Sequence, residues 1–249
     1  MRLRHIALTA FTLTVLMLGS GAILLAFEEE YVLAAQFIIL AAILDGFDGT
    51  LARLLRAETQ FGERLDTYID CISFGVAPAA LTYQLMWKDY GLWGKIAALV
   101  IILSGVLRFS RGCSMPSKRH RHLFRGLPIP VSATWIAVFV LIVEKDLLDI
   151  PGLAVDESAV TVFFWAFAFA FLLLQVSNVR YLKPSRRQLS IALSVTFAAM
   201  ILTGQPRQAF CLTTAVSVLA YVIGGLLRHR ELAAGESAAD EEEELTAAH

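Results

Sequence analysis

The chain has 249 residues, of which 57% are hydrophobic, and its formal net charge is −1. The mean hydropathy of +0.65 is too high for an ordinary soluble domain and predicts a polytopic membrane protein. The nearly balanced charge gives no argument for nucleic-acid binding. The three cysteines, Cys71, Cys113 and Cys211, are scattered and fit neither a disulfide framework nor a zinc site.

The apolar segments, taken in chain order, predict about eight membrane-spanning helices. The first follows Arg2 and Arg4 and resembles a signal peptide, but its length and the lack of a clear cleavage site favour an uncleaved span. A polar turn at 56–64 follows the second span, and Pro78 is expected to kink the third. The expected spans lie near 7–27, 31–55, 65–87, 91–110, a segment ending near 143, 158–179, 188–204 and 208–227.

These segments predict an all-α fold in which residues 1–230 form one integral membrane domain and the acidic residues 231–249 form a disordered cytoplasmic tail. The distribution of positive charge predicts the orientation, because Lys and Arg accumulate on the cytoplasmic side. With the N-terminus inside, all but four of the 21 Lys and Arg residues fall in cytoplasmic segments. The four exceptions are Lys88, Lys95, Lys145 and Arg207.

Four aspartates stand between the apolar runs of the second and third spans. Asp45 and Asp48 are three residues apart, and Asp66 and Asp70 are four apart, so each pair lies on one face of a helix. Carboxylates in or near a membrane are costly and indicate a functional site. Their alternative role is to pair with arginines and hold helices together, but four acids exceed what such packing needs.

The four carboxylates predict a site for two divalent cations, because together they balance about four positive charges with the oxygen ligands that Mg²⁺ or Mn²⁺ prefers. Two such ions can clamp a pyrophosphate. Gly49 and Ala52 follow the first two aspartates by one turn and leave room for a ligand, and Arg53 offers a fork of donors to a phosphate. Asp70 is the candidate general base if an alcohol attacks.

The complete pattern from Asp45 to Asp70 is Asp-x2-Asp-Gly-x2-Ala-Arg-x8-Gly-x3-Asp-x3-Asp. It resembles the signature of the CDP-alcohol phosphatidyltransferase family. The resemblance implies a homodimeric helical membrane enzyme with a six-helix core, here extended by two C-terminal helices, and a dinuclear metal site open to the cytoplasm. It implies transfer from a CDP-linked lipid to an alcohol with release of CMP.

The resemblance also implies roles for individual residues. The metal ligands would be Asp45, Asp48, Asp66 and Asp70, with Asp70 also the general base. The CDP-lipid site would be lined by Gly49, Ala52, Arg53, Gly62 and Thr59, although Thr59 is about as well explained as a simple turn hydroxyl. The site would lie on the cytoplasmic side of the inner membrane, with CDP-diacylglycerol and the bilayer as partners.

Four further segments are similar to the phosphatidylserine synthase branch of this family. They are 73–79, 107–111, 124–130 and 176–181. The branch implies L-serine as the acceptor, and its carboxylate would suit the fork donors Arg108, Arg111 or Arg125. Cytoplasmic loops are rich in arginine in any case. The stretch Phe109-Ser110-Arg111-Gly112 departs from the branch pattern, which puts the acceptor in doubt.

Two alternatives remain open. The acceptor could be glycerol 3-phosphate, inositol, inositol phosphate or choline, although the chain lacks an evident aromatic cage for choline. The chain could also be a divalent-cation transporter, but its acids lie in one hairpin, and no second group follows residue 130 as an inverted repeat would require.

Overall fold

The structure is a computed structural model that describes residues 3–55, 59–113, 123–144, 157–177, 180–182 and 213–226. The helices are α1 (Leu3–Phe27), α2 (Tyr31–Leu55), α3 (Gln60–Asp70), α4 (Ala77–Thr82), α5 (Gly91–Cys113), α6 (Ile129–Glu144), α7 (Glu157–Val176) and α8 (Thr213–Leu226). The strands are β1 (Leu123–Arg125) and β2 (Arg180–Leu182).

The predicted helical class is confirmed. By length and composition, two helical stretches are long and apolar enough to cross a membrane, Leu8–Phe27 and Gln60–Ser110. Shorter apolar helices cover Tyr31–Phe47, Ile129–Ile142 and Thr213–Leu226. The span expected at 188–204 and the tail at 231–249 lie outside the described residues, so eight spans and the domain boundary at 230 stay predictions.

The helix that carries Asp66 and Asp70 begins earlier than expected. The predicted polar turn to residue 64 is wrong at its end, because α3 begins at Gln60. Thr59 is its N-cap, and the Thr59 hydroxyl oxygen accepts a hydrogen bond from the backbone N–H of Gly62 at 3.0 Å. The N–H groups of the first helical turn have no intrahelical partner. The bond to Thr59 satisfies one of them and so fixes where the helix begins.

A π-helical turn, Cys71–Val76, directly follows Asp70. Pro78 is the second residue of α4, which continues the π-helical turn with helical dihedrals, and its missing N–H breaks the hydrogen-bond ladder at this point. The N–H of Ala77 bonds the carbonyl of Ile72, five residues back, so the wide turn leads into the proline. The irregularity expected at Pro78 is therefore placed one turn earlier, next to the aspartate.

Helix α1 approaches this π-helical turn very closely. A Cβ on Gly19 would stand 2.6 Å from Cα of Ser73, nearer than side-chain carbons come to a backbone. The buried Ser73 hydroxyl donates a hydrogen bond to the carbonyl oxygen of Val15 at 3.2 Å. The glycine and the serine together fix α1 against the chain three residues after Asp70.

The core has two parts. In the first, α1 packs along α2 and α2 packs against α6, around buried side chains such as Ile38, Phe74 and Val138. In the second, α5, α6, α7 and α8 meet around Trp135 and Phe171, whose rings lie edge to face with centroids 5.3 Å apart. The aspartate-bearing helices thus have rigid neighbours.

A short antiparallel ribbon, which the sequence did not predict, joins the connections flanking α6 and α7. Its register pairs Leu123 with Leu182, Phe124 with Tyr181 and Arg125 with Arg180. Gly126 then turns the chain with φ of +74°, a conformation that favours glycine. The ribbon brings together two of the four segments that carry the resemblance to the serine branch.

Candidate metal and substrate site

Three of the four predicted metal ligands converge in the structure. Asp45 lies in the later half of α2, and Asp66 and Asp70 lie one turn apart near the end of α3. One carboxylate oxygen from each can be chosen so that all three lie within 4.8 Å of one another. The fourth predicted ligand, Asp48, belongs to α2, but its side chain lies outside the described part of the structure.

The cluster has the chemistry of a site for a hard cation. Three carboxylates at this separation repel one another in an environment that screens charge poorly. The Oδ1 atom of Asp70 is buried and, among the described residues, has no hydrogen-bond partner. A buried carboxylate oxygen without a partner is unfavourable unless a ligand satisfies it. The donor set fits a divalent ion such as Mg²⁺ or Mn²⁺, which takes oxygen ligands.

Arg108 is the predicted acceptor residue that the structure places at the cluster. Its guanidinium is close enough to the Asp70 carboxylate and to Tyr221 of α8 to interact with both electrostatically. It also lies 6.0 Å from the ring centroid of Phe109. The Arg108 Nε atom is buried, and within the described chain it has no hydrogen-bond partner. A positive fork donor therefore lies near the carboxylates, without an ion pair to Asp70 among the described residues.

The other predicted site residues are located in part. Thr59 and Gly62 form the N-terminal cap of α3, where the Thr59 oxygen is already hydrogen-bonded to the Gly62 N–H. The remaining residues are placed by their backbones alone. Gly49, Ala52 and Arg53 lie in α2, Arg111 lies near the end of α5, and Arg125 lies in β1 opposite Arg180.

Sequence analysis missed the neighbours that hold these groups. Tyr221 lies far along the chain and in no motif, so no sequence signal pointed to it. Ser73 belongs to the segment 73–79 that carries part of the resemblance, but its contact with Val15 depends on how α1 packs. Gln175 was also missed, although a buried amide at the end of an apolar helix is a usable signal.

The arrangement can bind a polyanion and move a proton. Cations held by the carboxylates would attract phosphate oxygens, and the guanidinium of Arg108 could bind a second anionic group. Asp70 links the two regions, since it lies in the carboxylate cluster and interacts electrostatically with Arg108. A carboxylate in that position can accept a proton from a nucleophile that binds between them.

Comparisons with known proteins agree with this chemistry. A family model described as CDP-alcohol phosphatidyltransferase matches residues 5–200. A CDP-diacylglycerol–serine O-phosphatidyltransferase from Helicobacter pylori is 28% identical over 220 residues, which cover 88% of each chain. The protein of the same name from Bacillus subtilis is 34% identical over 47% of this chain and 65% of its own. An archaetidylserine synthase from Methanothermobacter thermautotrophicus is 37% identical over 49% of this chain and 52% of its own.

Proposed function

Because the chain belongs to the CDP-alcohol phosphatidyltransferase family, we propose that it transfers the phosphatidyl group of CDP-diacylglycerol to the hydroxyl of L-serine. The observation that carries the proposal is the convergence of Asp45, Asp66 and Asp70 beside the guanidinium of Arg108. The carboxylates supply a metal-binding region for the pyrophosphate. The arginine supplies a donor for a carboxylate-bearing alcohol.

Asp45, Asp48, Asp66 and Asp70 would hold two Mg²⁺ or Mn²⁺ ions. Bound there, the ions would neutralise the pyrophosphate charge and stabilise the leaving group. Gly49, Ala52 and Gly62 would admit the CDP moiety close to the backbone, Arg53 would bind a phosphate, and the Thr59 hydroxyl hydrogen would remain available to the same group.

Asp70 would take the proton of the serine hydroxyl as its oxygen attacks the phosphorus that bears the diacylglycerol. The new P–O bond forms to serine while the P–O bond to CMP breaks, and CMP departs with the bonding electron pair. Arg108 would bind the serine carboxylate, with Arg111 and Arg125 as further candidates. The position of Arg108 next to Asp70 supports its assignment, because the acceptor hydroxyl must reach that same carboxylate.

Serine is proposed over other alcohols for two reasons. The names of the relatives from all three organisms specify serine. The described side chain of Arg108 lies near the carboxylates, and a guanidinium fork suits the carboxylate of serine better than the cationic headgroup of choline. We further propose that the enzyme is a homodimer of the cytoplasmic membrane whose site faces the cytoplasm.

The test is CMP release by the purified full-length protein with CDP-diacylglycerol and Mn²⁺ or Mg²⁺. L-Serine, glycerol 3-phosphate, inositol and choline are compared at equal concentration. We expect L-serine to react faster than the others by at least about tenfold. EDTA should abolish release, and excess Mn²⁺ should restore it. Preference for another alcohol would discard serine, and a metal-independent reaction would discard the role of the aspartates.

A further inference from the structure

A buried polar network joins three helices on the side of the bundle away from α1. The side chains of Ser104 in α5, Ser132 in α6 and Gln175 in α7 are each about 95% buried. Ser104 Oγ donates to Oε1 of Gln175 at 2.7 Å, and Nε2 of Gln175 donates to Oγ of Ser132. The two serine hydroxyls also lie within hydrogen-bond distance of backbone carbonyls of their own helices. Gln175 is the one member that touches both of the others.

Hydrogen bonds rather than packing fix the Gln175 side chain. Gln175 and Ser132 border a cavity of about 230 Å³ between α5, α6 and α7. The rest of the cavity wall is apolar, with side chains such as Trp135 and Phe171. The amide therefore has space on one side and polar partners on the other, and loss of those partners would let α7 shift relative to α5.

The network lies one turn from Arg108. Ser104 and Arg108 are four residues apart in α5 and so share one face of that helix. A displacement of the Ser104 face moves the guanidinium that faces Asp70. The buried Nε atom of Arg108 has no hydrogen-bond partner among the described residues, so this atom does not anchor the guanidinium.

The backbone of Gln175 also restrains the second acceptor candidate. A Cβ on Gly126 would overlap the carbonyl oxygen of Gln175, so the turn that follows Arg125 lies directly on the end of α7. The N–H of Leu127 donates to the carbonyl of Leu174 at 3.1 Å. One residue thus contacts both segments that carry acceptor arginines, through its side chain and through its backbone.

We propose that Gln175 is a positioning residue of the transfer reaction, which holds α5 and the turn after β1 so that Arg108 faces Asp70 at the acceptor's end of the site. The inference rests on the proposed function, since Arg108 is there the ligand of the serine carboxylate. It does not involve the carboxylate cluster, so metal binding and CDP-lipid binding should be independent of Gln175.

The first experiment does not need turnover. Full-length protein in detergent is treated with phenylglyoxal, which modifies arginine, and labelling of Arg108 is followed by peptide mass spectrometry. Gln175→Met keeps the length of the side chain and removes both hydrogen bonds, so we expect Arg108 to react faster than in the wild type. Thr14→Ala is the control, because the exposed Thr14 hydroxyl donates to the carbonyl of Ala10 within α1, away from α5 and α7. Unchanged labelling in Gln175→Met would overturn the proposal.

The second experiment separates positioning from general stability. In Gln175→Met, we expect KM for L-serine to rise about tenfold, while kcat, KM for CDP-diacylglycerol and Mn²⁺ affinity change less than about twofold. If Gln175→Met does not fold, Ser104→Ala and Ser132→Ala each remove one hydrogen bond and should show the same pattern at smaller size. An equal loss across all four quantities would overturn the proposal.

The two hypotheses fail in different ways. A wild-type protein that releases no CMP with any alcohol contradicts the proposed function, and the labelling result still decides whether Gln175 positions Arg108. A wild-type protein that transfers to serine, together with a Gln175→Met variant of normal serine KM and normal labelling, contradicts the inference alone.

Discussion

Asp70 differs from the other carboxylates of the cluster in its surroundings. It is the aspartate that approaches both the other acids and Arg108, and its Oδ1 is buried without a described partner. Asp70 also shares a side-chain hydrogen bond with Asp45, so one of its oxygens lies in the carboxylate cluster while Oδ1 has no partner in the described part of the chain.

Replacing Asp70 by asparagine should separate its two proposed roles, metal ligand and general base. Asp70→Asn keeps the shape and one oxygen but removes the proton acceptor, so we expect transfer to fall by at least about 100-fold. Mn²⁺ binding should weaken without being lost, because Asp45 and Asp66 remain. CMP release and Mn²⁺ titration check the two effects. Asp89→Asn, at an exposed residue between α4 and α5, is the control that should change neither.

The sequence alone predicted the aspartates better than their partner. Asp66 and Asp70 are four residues apart and share one face of α3 however the helix packs. Asp45 was expected on the neighbouring helix, so the sequence alone indicated a cluster of these three acids. Arg108 could not be distinguished from Arg111 and Arg125, because which of them lies near Asp70 depends on how α5 is rotated against the π-helical turn and on where β1 packs. That rotation is set by tertiary contacts such as Ser104 with Gln175, and no local pattern encodes it.

At the scale of elements, the junction of α1 with the π-helical turn determines where α3 ends. The sequence indicated a kink from Pro78, since proline lacks an N–H, but it could not show that the adjustment is a wide turn beginning at Cys71. The β1–β2 ribbon could not be predicted from the sequence either, because its two strands have three residues each and lie far apart in the chain. Helices could be predicted from apolar length, whereas their irregular ends depend on neighbours.

Gly19→Ala tests this junction. The new Cβ would stand 2.6 Å from Cα of Ser73, so α1 or the π-helical turn must move. We expect a loss of stability of about 1–3 kcal/mol, seen as a lower thermal midpoint in detergent. Transfer should fall as well, since Ser73 lies three residues after Asp70.

Gly224→Ala is the matched control for Gly19→Ala. A Cβ at Gly224 in α8 would meet nothing within 4 Å, so the alanine should be neutral or slightly stabilising. Equal stability and equal activity of the two variants would show that the contact of α1 with the π-helical turn affects neither folding nor the site. A Gly19→Ala protein with reduced stability but full transfer would show that the contact contributes to folding and not to the reaction.

At the scale of the whole molecule, the two ends of the bundle have different chemistry. One end has the turn between α1 and α2 and the turn between α4 and α5, joined by an exposed ion pair of Lys88 Nζ with Glu29 at 2.9 Å. The other end has the aspartates, Arg108 and the start of α3. An exposed ion pair adds little stability. It does show that these two turns lie at the same end of the bundle.

The distribution of Lys and Arg predicts that the aspartate end of the bundle is cytoplasmic, and this sets the orientation of the protein in the membrane. The test uses a background in which Cys71, Cys113 and Cys211 are replaced by serine. A single cysteine is then introduced as Asp89→Cys or as Arg64→Cys, both at exposed residues. A membrane-impermeant maleimide added to intact cells should label Asp89→Cys and leave Arg64→Cys unlabelled until the membrane is opened.

The labelling also bears on the proposed reaction. CMP and L-serine are charged and do not cross a bilayer unaided, so a site for them must open on the side where the cell keeps them. Labelling of Arg64→Cys from outside would therefore contradict both the predicted orientation and the use of a cytoplasmic nucleotide-linked lipid. Labelling of Asp89→Cys alone from outside would place Asp45, Asp66 and Asp70 at the cytoplasmic face, because these aspartates lie at the end of the bundle opposite the turn that holds Asp89.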